Sequence, residues 1–212
     1  MLIANPTATD ANVTLTYLLG DGRTFTRDLV ATANQRSGVW VDVEQFPGVA
    51  GFPLADVAVS TKVQSTNGVP LIVERAMWWP GDSSTWHEAH NSAGARHAGT
   101  RWALTDGQLG GVRAHETYIL VANTSAFAGN ALVTLLFEDG TSAQLNYALP
   151  ANSRTNVPVG VDFPAAQGRR FGAIVESIGM TPAQIVVERA MYSDADGVNW
   201  AAGTNALGTR IP

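Results

Sequence analysis

Val13-Thr14-Leu15-Thr16-Tyr17-Leu18-Leu19-Gly20-Asp21-Gly22-Arg23-Thr24-Phe25-Thr26-Arg27-Asp28-Leu29 is the stretch that decides the fold class. Val13, Leu15, Tyr17 and Leu19 alternate with more polar neighbours, Asp21-Gly22 turns the chain, and Phe25 and Leu29 resume the apolar face. Period-two alternation around Asp-Gly is the strongest short-range signal for a β-hairpin. The pattern returns 118 positions later as Ala131, Val133, Leu135 and Phe137, then Asp139-Gly140, then Ala143, Leu145 and Tyr147. A one-residue slip would turn the buried set to solvent, so a shared phase implies a shared fold.

Outward from the hairpin, the whole chain proves to be doubled. Leu2-Ile3-Ala4-Asn5 returns as Leu120-Val121-Ala122-Asn123, and Arg36 as Arg154, at the same offset of 118. Val73-Glu74-Arg75-Ala76-Met77 returns as Val187-Glu188-Arg189-Ala190-Met191 at an offset of 114, as do Trp86/Trp200 and Asn91/Asn205. The register changes between Phe46-Pro47, which matches Phe163-Pro164, and Ser65, where loop length is free to vary. A period near half the chain predicts two domains, residues 1–98 and 99–212.

Further strands are expected at Val39–Val43, Val57–Gln64, Val69–Trp78 and near Trp86, with a single helical turn at Ala165-Ala166-Gln167. With the Ile3 strand this makes about seven short strands per copy, which predicts an all-β chain of two tandem antiparallel immunoglobulin-like β-sandwich domains. The stretch from His97 to Gly111 carries Trp102 and Leu104 and reads as the opening strand of the second domain plus a Gly-rich turn. The first domain lacks its counterpart. An unpaired edge there predicts pairing with a neighbouring repeat or another chain. Met1 opens directly inside a strand without a basic leader, so the chain is expected to begin within a longer parent whose signal peptide lies outside it.

Composition narrows the function classes. The chain has 212 residues, 45% apolar and only 15% charged, with a net charge of −5. That balance gives no electrostatic footprint for nucleic acid or for an anionic membrane surface. The absence of Cys excludes disulfides and thiolate sites. No apolar run reaches the ~18 residues needed to span a bilayer, so no membrane insertion is expected.

The charged residues divide by whether they repeat. Alternation puts Arg75 on the face of Leu71, Val73 and Met77, and Glu74 on the face of Ile72, Ala76 and Trp78. Both faces are otherwise apolar, and a buried Arg needs an anion. Arg36/Arg154, Glu44/Asp162, Glu74/Glu188 and Arg75/Arg189 all occur in both copies, so internal ion pairs such as Glu44 with Arg75 or Arg36 are expected. The alternative is a charged active cleft; repetition favours the structural role.

The histidines are private to the first copy. His87, Glu88 and His90 match Ala201, Ala202 and Thr204, and His97 follows closely. His and Glu suit Zn²⁺, but His87-x-x-His90 is one residue short of the metalloprotease helix motif, and on a strand positions 87 and 90 face opposite ways. These are weak metal candidates beside an aromatic patch. Trp79 matches Ser193 and is also private; with Asp82 and Trp86 it could stack on a sugar ring, or it could pack against the neighbouring repeat. Gly-x-Ser-x-Gly is absent, and no residue is assigned a catalytic role.

Trp102-Ala103-Leu104-Thr105-Asp106-Gly107, Tyr118-Ile119-Leu120-Val121-Ala122-Asn123-Thr124, Ala151-Asn152-Ser153-Arg154 and Val187-Glu188-Arg189-Ala190-Met191-Tyr192 together resemble the units of an uncharacterised bacterial repeat family. The first copy carries Ala4-Asn5-Pro6, Ala33-Asn34-Gln35-Arg36 and Val73-Glu74-Arg75-Ala76-Met77-Trp78. The resemblance covers most of the chain. It implies tandem β-sandwich arrays on large exported or surface proteins of bacteria, with no known activity or cofactor. His90-Asn91-Ser92 looks like a common variant in that family.

The leading expectation is therefore a non-catalytic structural or adhesion module from an extracellular or cell-surface array, needing no cofactor. The alternatives are a carbohydrate-binding module using the exposed Trp of the first repeat, and a metal-dependent hydrolase at His87–His97.

Overall fold

The computed structural model describes residues 1–79 and 88–212. The first copy supplies strands β1 (Leu2–Asn5), β2 (Ala11–Leu19), β3 (Thr24–Ala31), β4 (Gln35–Gly38), β5 (Val59–Ser65), β6 (Ile72–Trp79) and β7 (Glu88–Ala93). The remainder supplies β8 (Arg101–Gln108), β9 (Glu116–Asn123), β10 (Gly129–Phe137), β11 (Ser142–Leu149), β12 (Ser153–Pro158), β13 (Arg170–Ile178), β14 (Ile185–Ala195), β15 (Val198–Leu207) and β16 (Thr209–Arg210). A short helix, α1, spans Val159–Asp162. The Val39–Val43 segment, expected as a strand, is instead a 3-10 turn at Val41–Val43.

The two hairpins form as their alternation dictates. In β2 the side chains of Val13, Leu15 and Tyr17 are buried, and in β10 those of Ala131, Val133 and Leu135. Gly22 and Gly140 both take positive φ in the connecting turns, where a side chain would be strained. Asp21 accepts from the Arg23 amide and Asp139 from the Thr141 amide, closing each turn in the same way.

The pairing between strands corrects the expected immunoglobulin-like sandwiches. The described residues form four small antiparallel sheets, ordered β4-β1-β6-β7, β3-β2-β5, β12-β9-β14-β15 and β11-β10-β13-β8-β16. In an immunoglobulin domain the opening strand shares a sheet with the second. Here β1 lies between β4 and β6, with Leu2 opposite both Gly38 and Glu74, while β2 lies between β3 and β5. Alternation tells which face of a strand is buried but not which strand lies beside it, so several all-β architectures share the same sequence pattern.

Two hydrophobic clusters lie between the sheets. One gathers Ile3, Val13, Leu15, Tyr17 and Phe46; the other gathers Trp102, Ile119, Val133, Phe171 and Ile185. A repeated asparagine anchors each. The Asn5 amide donates to the carbonyls of Thr9 and Ala31, and the Asn123 amide to those of Phe127 and Pro150. Both side chains are fully buried, so each must bring its own partners.

Strand β8 pairs with β13 and carries Trp102 into the second cluster. Among the described residues the first copy has no equivalent, and β5 is the outermost strand of its sheet.

Candidate functional site

The copies meet along a seam built by β5, β6 and β7 on one side and β12, β14 and β15 on the other. Alternation along β7 sends Glu88, His90 and Ser92 to one face, and that face meets β15. The Arg75 guanidinium on β6 lies 3.4 Å from the Glu188 carboxylate on β14. The Ser92 hydroxyl donates to the same carboxylate at 2.9 Å. Arg154 on β12 donates to the Val59 carbonyl of the first copy at 2.7 Å and to Asn156 at 2.7 Å.

Aromatic rings close the seam. The Trp79 indole donates to the Trp200 carbonyl at 2.6 Å and meets Tyr192 edge to face at 5.4 Å. Tyr192 in turn stacks on Trp200 at 4.6 Å, and His90 lies 5.5 Å from Trp79. Gly203 permits this approach: a Cβ there would fall 2.6 Å from the Trp79 ring.

The seam joins unlike faces of like units. Arg75 corresponds to Arg189, which points into its own copy towards Asp106 at 3.6 Å. Glu188 corresponds to Glu74, which lies on the opposite face of its strand. The contact is therefore heterologous, head to tail, rather than two-fold.

Its electrostatics follow from burial. Desolvation, aided by Arg75, holds the His90 imidazole below its ordinary value. Burial, with Arg75 nearby, brings Arg154 down to about 10. Burial raises the Tyr192 phenol, and burial together with Glu116 pushes Tyr118 up to about 12. Among the described residues both His90 nitrogens, Arg75 Nε and the Asn205 amide have no hydrogen-bond partner.

Among the described residues of the seam, no histidine is hydrogen-bonded to a hydroxyl nucleophile. The Ser92 hydroxyl is committed to Glu188 and not to His90. Among the described residues no group of three or more His, Cys, Asp or Glu is placed to hold a metal ion.

The residues singled out from the sequence fall as follows. Trp79, Glu88 and His90 lie on the seam strands, and the Glu88 carboxylate accepts from the Ala89 amide. His97 is exposed on a bend. Asp82, Trp86 and His87 lie outside the described residues. Glu44 pairs with Arg27 rather than with Arg75 or Arg36. Asp162 accepts from the Tyr147 hydroxyl at 2.8 Å. Sequence reasoning missed Tyr192, Gly203 and Ser92 as seam residues, and Arg27 and Asp106 as partners. Arg27 matches Leu145, so comparison of the copies gave no signal for it.

No protein-family model matches the chain, and no curated protein matches it. A solved structure from Thermotoga maritima, Thermotoga maritima 1070, is similar over 54% of this chain and 96% of its own, at 13% identity and a TM-score of 0.45. The Anabaena sensory rhodopsin transducer is similar over 45% of this chain and 91% of its own, at 17% identity and a TM-score of 0.37.

Proposed function

We propose that the chain is a non-catalytic structural module in which repeated β-units lock head to tail. One observation carries the reading. The residues private to the first copy, Trp79 and His90, meet residues of the second copy in the seam. An aromatic cluster and a half-buried ion pair join the units, in the manner of nearest neighbours in a repeat protein. A heterologous contact of this kind suits extension into longer arrays, because it leaves a free face at each end.

Small-angle scattering and calorimetry test the reading together. The unmodified chain is expected to be a single compact particle that unfolds in one transition. Trp79→Ala combined with Glu188→Ala is expected to lengthen the particle and split the transition. An unmodified chain that already behaves as two independent units would overturn it.

A further inference from the structure

We propose that the middle of the seam is a binding site for a small monovalent inorganic anion of the halide class, held by Arg75 and His90 of the first copy and Asn205 of the second. The inference rests on the seam described above and adds a ligand to it.

Register places these side chains together. On the first copy's side Trp79, Met77 and Arg75 of β6 lie opposite Glu88, His90 and Ser92 of β7. On the second copy's side Tyr192, Ala190 and Glu188 of β14 lie opposite Gly203, Asn205 and Leu207 of β15. The two sets meet at both ends: Trp79 lies against Tyr192 and Gly203, while Arg75 and Ser92 reach Glu188. His90 and Asn205 therefore fall in the step between, each the middle residue of its row.

The polar atoms of this step are buried and unpaired. Among the described residues Arg75 Nε and Nη2, both ring nitrogens of His90, and the nitrogen and oxygen of the Asn205 amide have no hydrogen-bond partner. Arg75 Nη2 lies 3.4 Å from the Glu188 carboxylate without forming a hydrogen bond to it. Most of these atoms donate: the two guanidinium nitrogens, the Asn205 nitrogen and one nitrogen of a neutral imidazole. Buried donors in such excess call for an acceptor.

Charge separates an anion from a water molecule as that acceptor. Arg154 of the second copy enters the same neighbourhood, close enough to Arg75 and Glu188 for both to act on its charge. Glu188 and Arg154 arrive on the same copy and offset each other, which leaves the Arg75 guanidinium in excess. Arg189, the counterpart of Arg75, has the Asp106 carboxylate to itself. Glu88 is the other acid near His90, but its carboxylate is turned to the exposed Ala89 amide. A guanidinium keeps its proton at neutral pH, and a buried charge left unpaired is costly. Water can complete hydrogen bonds there but cannot balance the charge, whereas one small anion does both. The adjacent Glu188 repels a multiply charged oxyanion, so a single negative charge suits the site best.

The test measures thermal unfolding of the full chain as chloride replaces gluconate at constant ionic strength. The midpoint is expected to rise with chloride and to saturate, by about 3–6 °C at roughly tenfold excess over Kd. Arg75→Gln is expected to lose the rise, while Arg23→Gln, in an exposed ion pair with Asp21, keeps it. Crystals of the unmodified chain grown in bromide give a second reading, with an anomalous peak expected among Arg75, His90 and Asn205. Equal midpoints in chloride and gluconate, a rise that Arg75→Gln retains, or no bromide at that position overturns the proposal. Failure of the seam itself would look different: two transitions instead of one, at every chloride concentration.

Discussion

Arg75 and Glu188 face each other at 3.4 Å, yet they occupy unlike positions of the repeated motif. The next residue in each copy, or the one before it, does something else: Arg189 turns to Asp106 inside its own copy, and Glu74 lies on the outer face of β6. Identical residues therefore have different roles, set by which face the neighbouring unit covers. Glu188→Ala is expected to cost about 1–3 kcal/mol, because it strands a half-buried guanidinium. Glu74→Ala, with no ion pair among the described residues, is expected to stay within about 0.5 kcal/mol. Urea midpoints of the two variants check this; equal losses would refute the asymmetry.

Trp79 and Gly203 form a matched pair. A methyl group at Gly203 would meet the Trp79 ring at 2.6 Å and the Tyr192 ring at 2.9 Å, and neither ring can bend away as a flexible chain would. Gly203→Ala is expected to destabilise by about 1–3 kcal/mol through overpacking. In a Trp79→Ala background the same change is expected to cost clearly less, because half the obstruction has gone. A double-mutant cycle in denaturant measures the coupling. Strict additivity would mean that the two residues do not share the seam.

Much of the architecture was legible in the sequence, and the limits were physical. The hairpins at Asp21-Gly22 and Asp139-Gly140 could be read because their register is set by local turn chemistry. The all-β character followed from alternation. The strand order did not follow, because β1 pairs with β6 across about seventy residues, as in Leu2 with Glu74, and no local signal marks such a partner. At the site, comparing copies separated shared from private residues but assumed that shared residues do shared work. Glu188 breaks that assumption, and Arg27, which pairs with Glu44, has no counterpart to draw attention to it.

Acid is expected to loosen the seam through His90. Burial and the adjacent Arg75 lower its folded pKa, while Glu188 and Glu88 oppose them; the rings of Trp79 and Tyr192 complete its surroundings. A lowered histidine pKa means that the unfolded chain binds the proton more readily. His90 thus contributes stability that is fully present above its ordinary value of 6.5 and is lost as pH falls through the folded value. Unfolding midpoints measured from pH 8 to pH 5 are expected to drop, and His90→Gln is expected to flatten the drop. An unchanged slope in His90→Gln would assign the dependence elsewhere.

Asn123 yields a prediction of opposite sign. Its amide donates to the carbonyls of Phe127 and Pro150 at 3.0 and 2.8 Å, while its side-chain oxygen accepts from the Ser125 amide at 2.9 Å. Asn123→Asp keeps the acceptor but aims a carboxylate oxygen at two carbonyl oxygens in a fully buried position. At neutral pH that is expected to cost about 2–5 kcal/mol, from desolvation of the charge and the lost donor. Burial and carbonyl repulsion would raise the folded carboxyl pKa above its unfolded value, so the folded state would bind the proton more readily. Protonation also restores a single O–H donor towards the carbonyls. The stability deficit of Asn123→Asp relative to Asn123→Ala is therefore expected to shrink as pH falls towards 4. Because the Asn5 amide likewise donates to two carbonyls in the first copy, those of Thr9 and Ala31, Asn5→Asp should respond in the same direction. A deficit independent of pH in both variants would show that these asparagines act through packing alone.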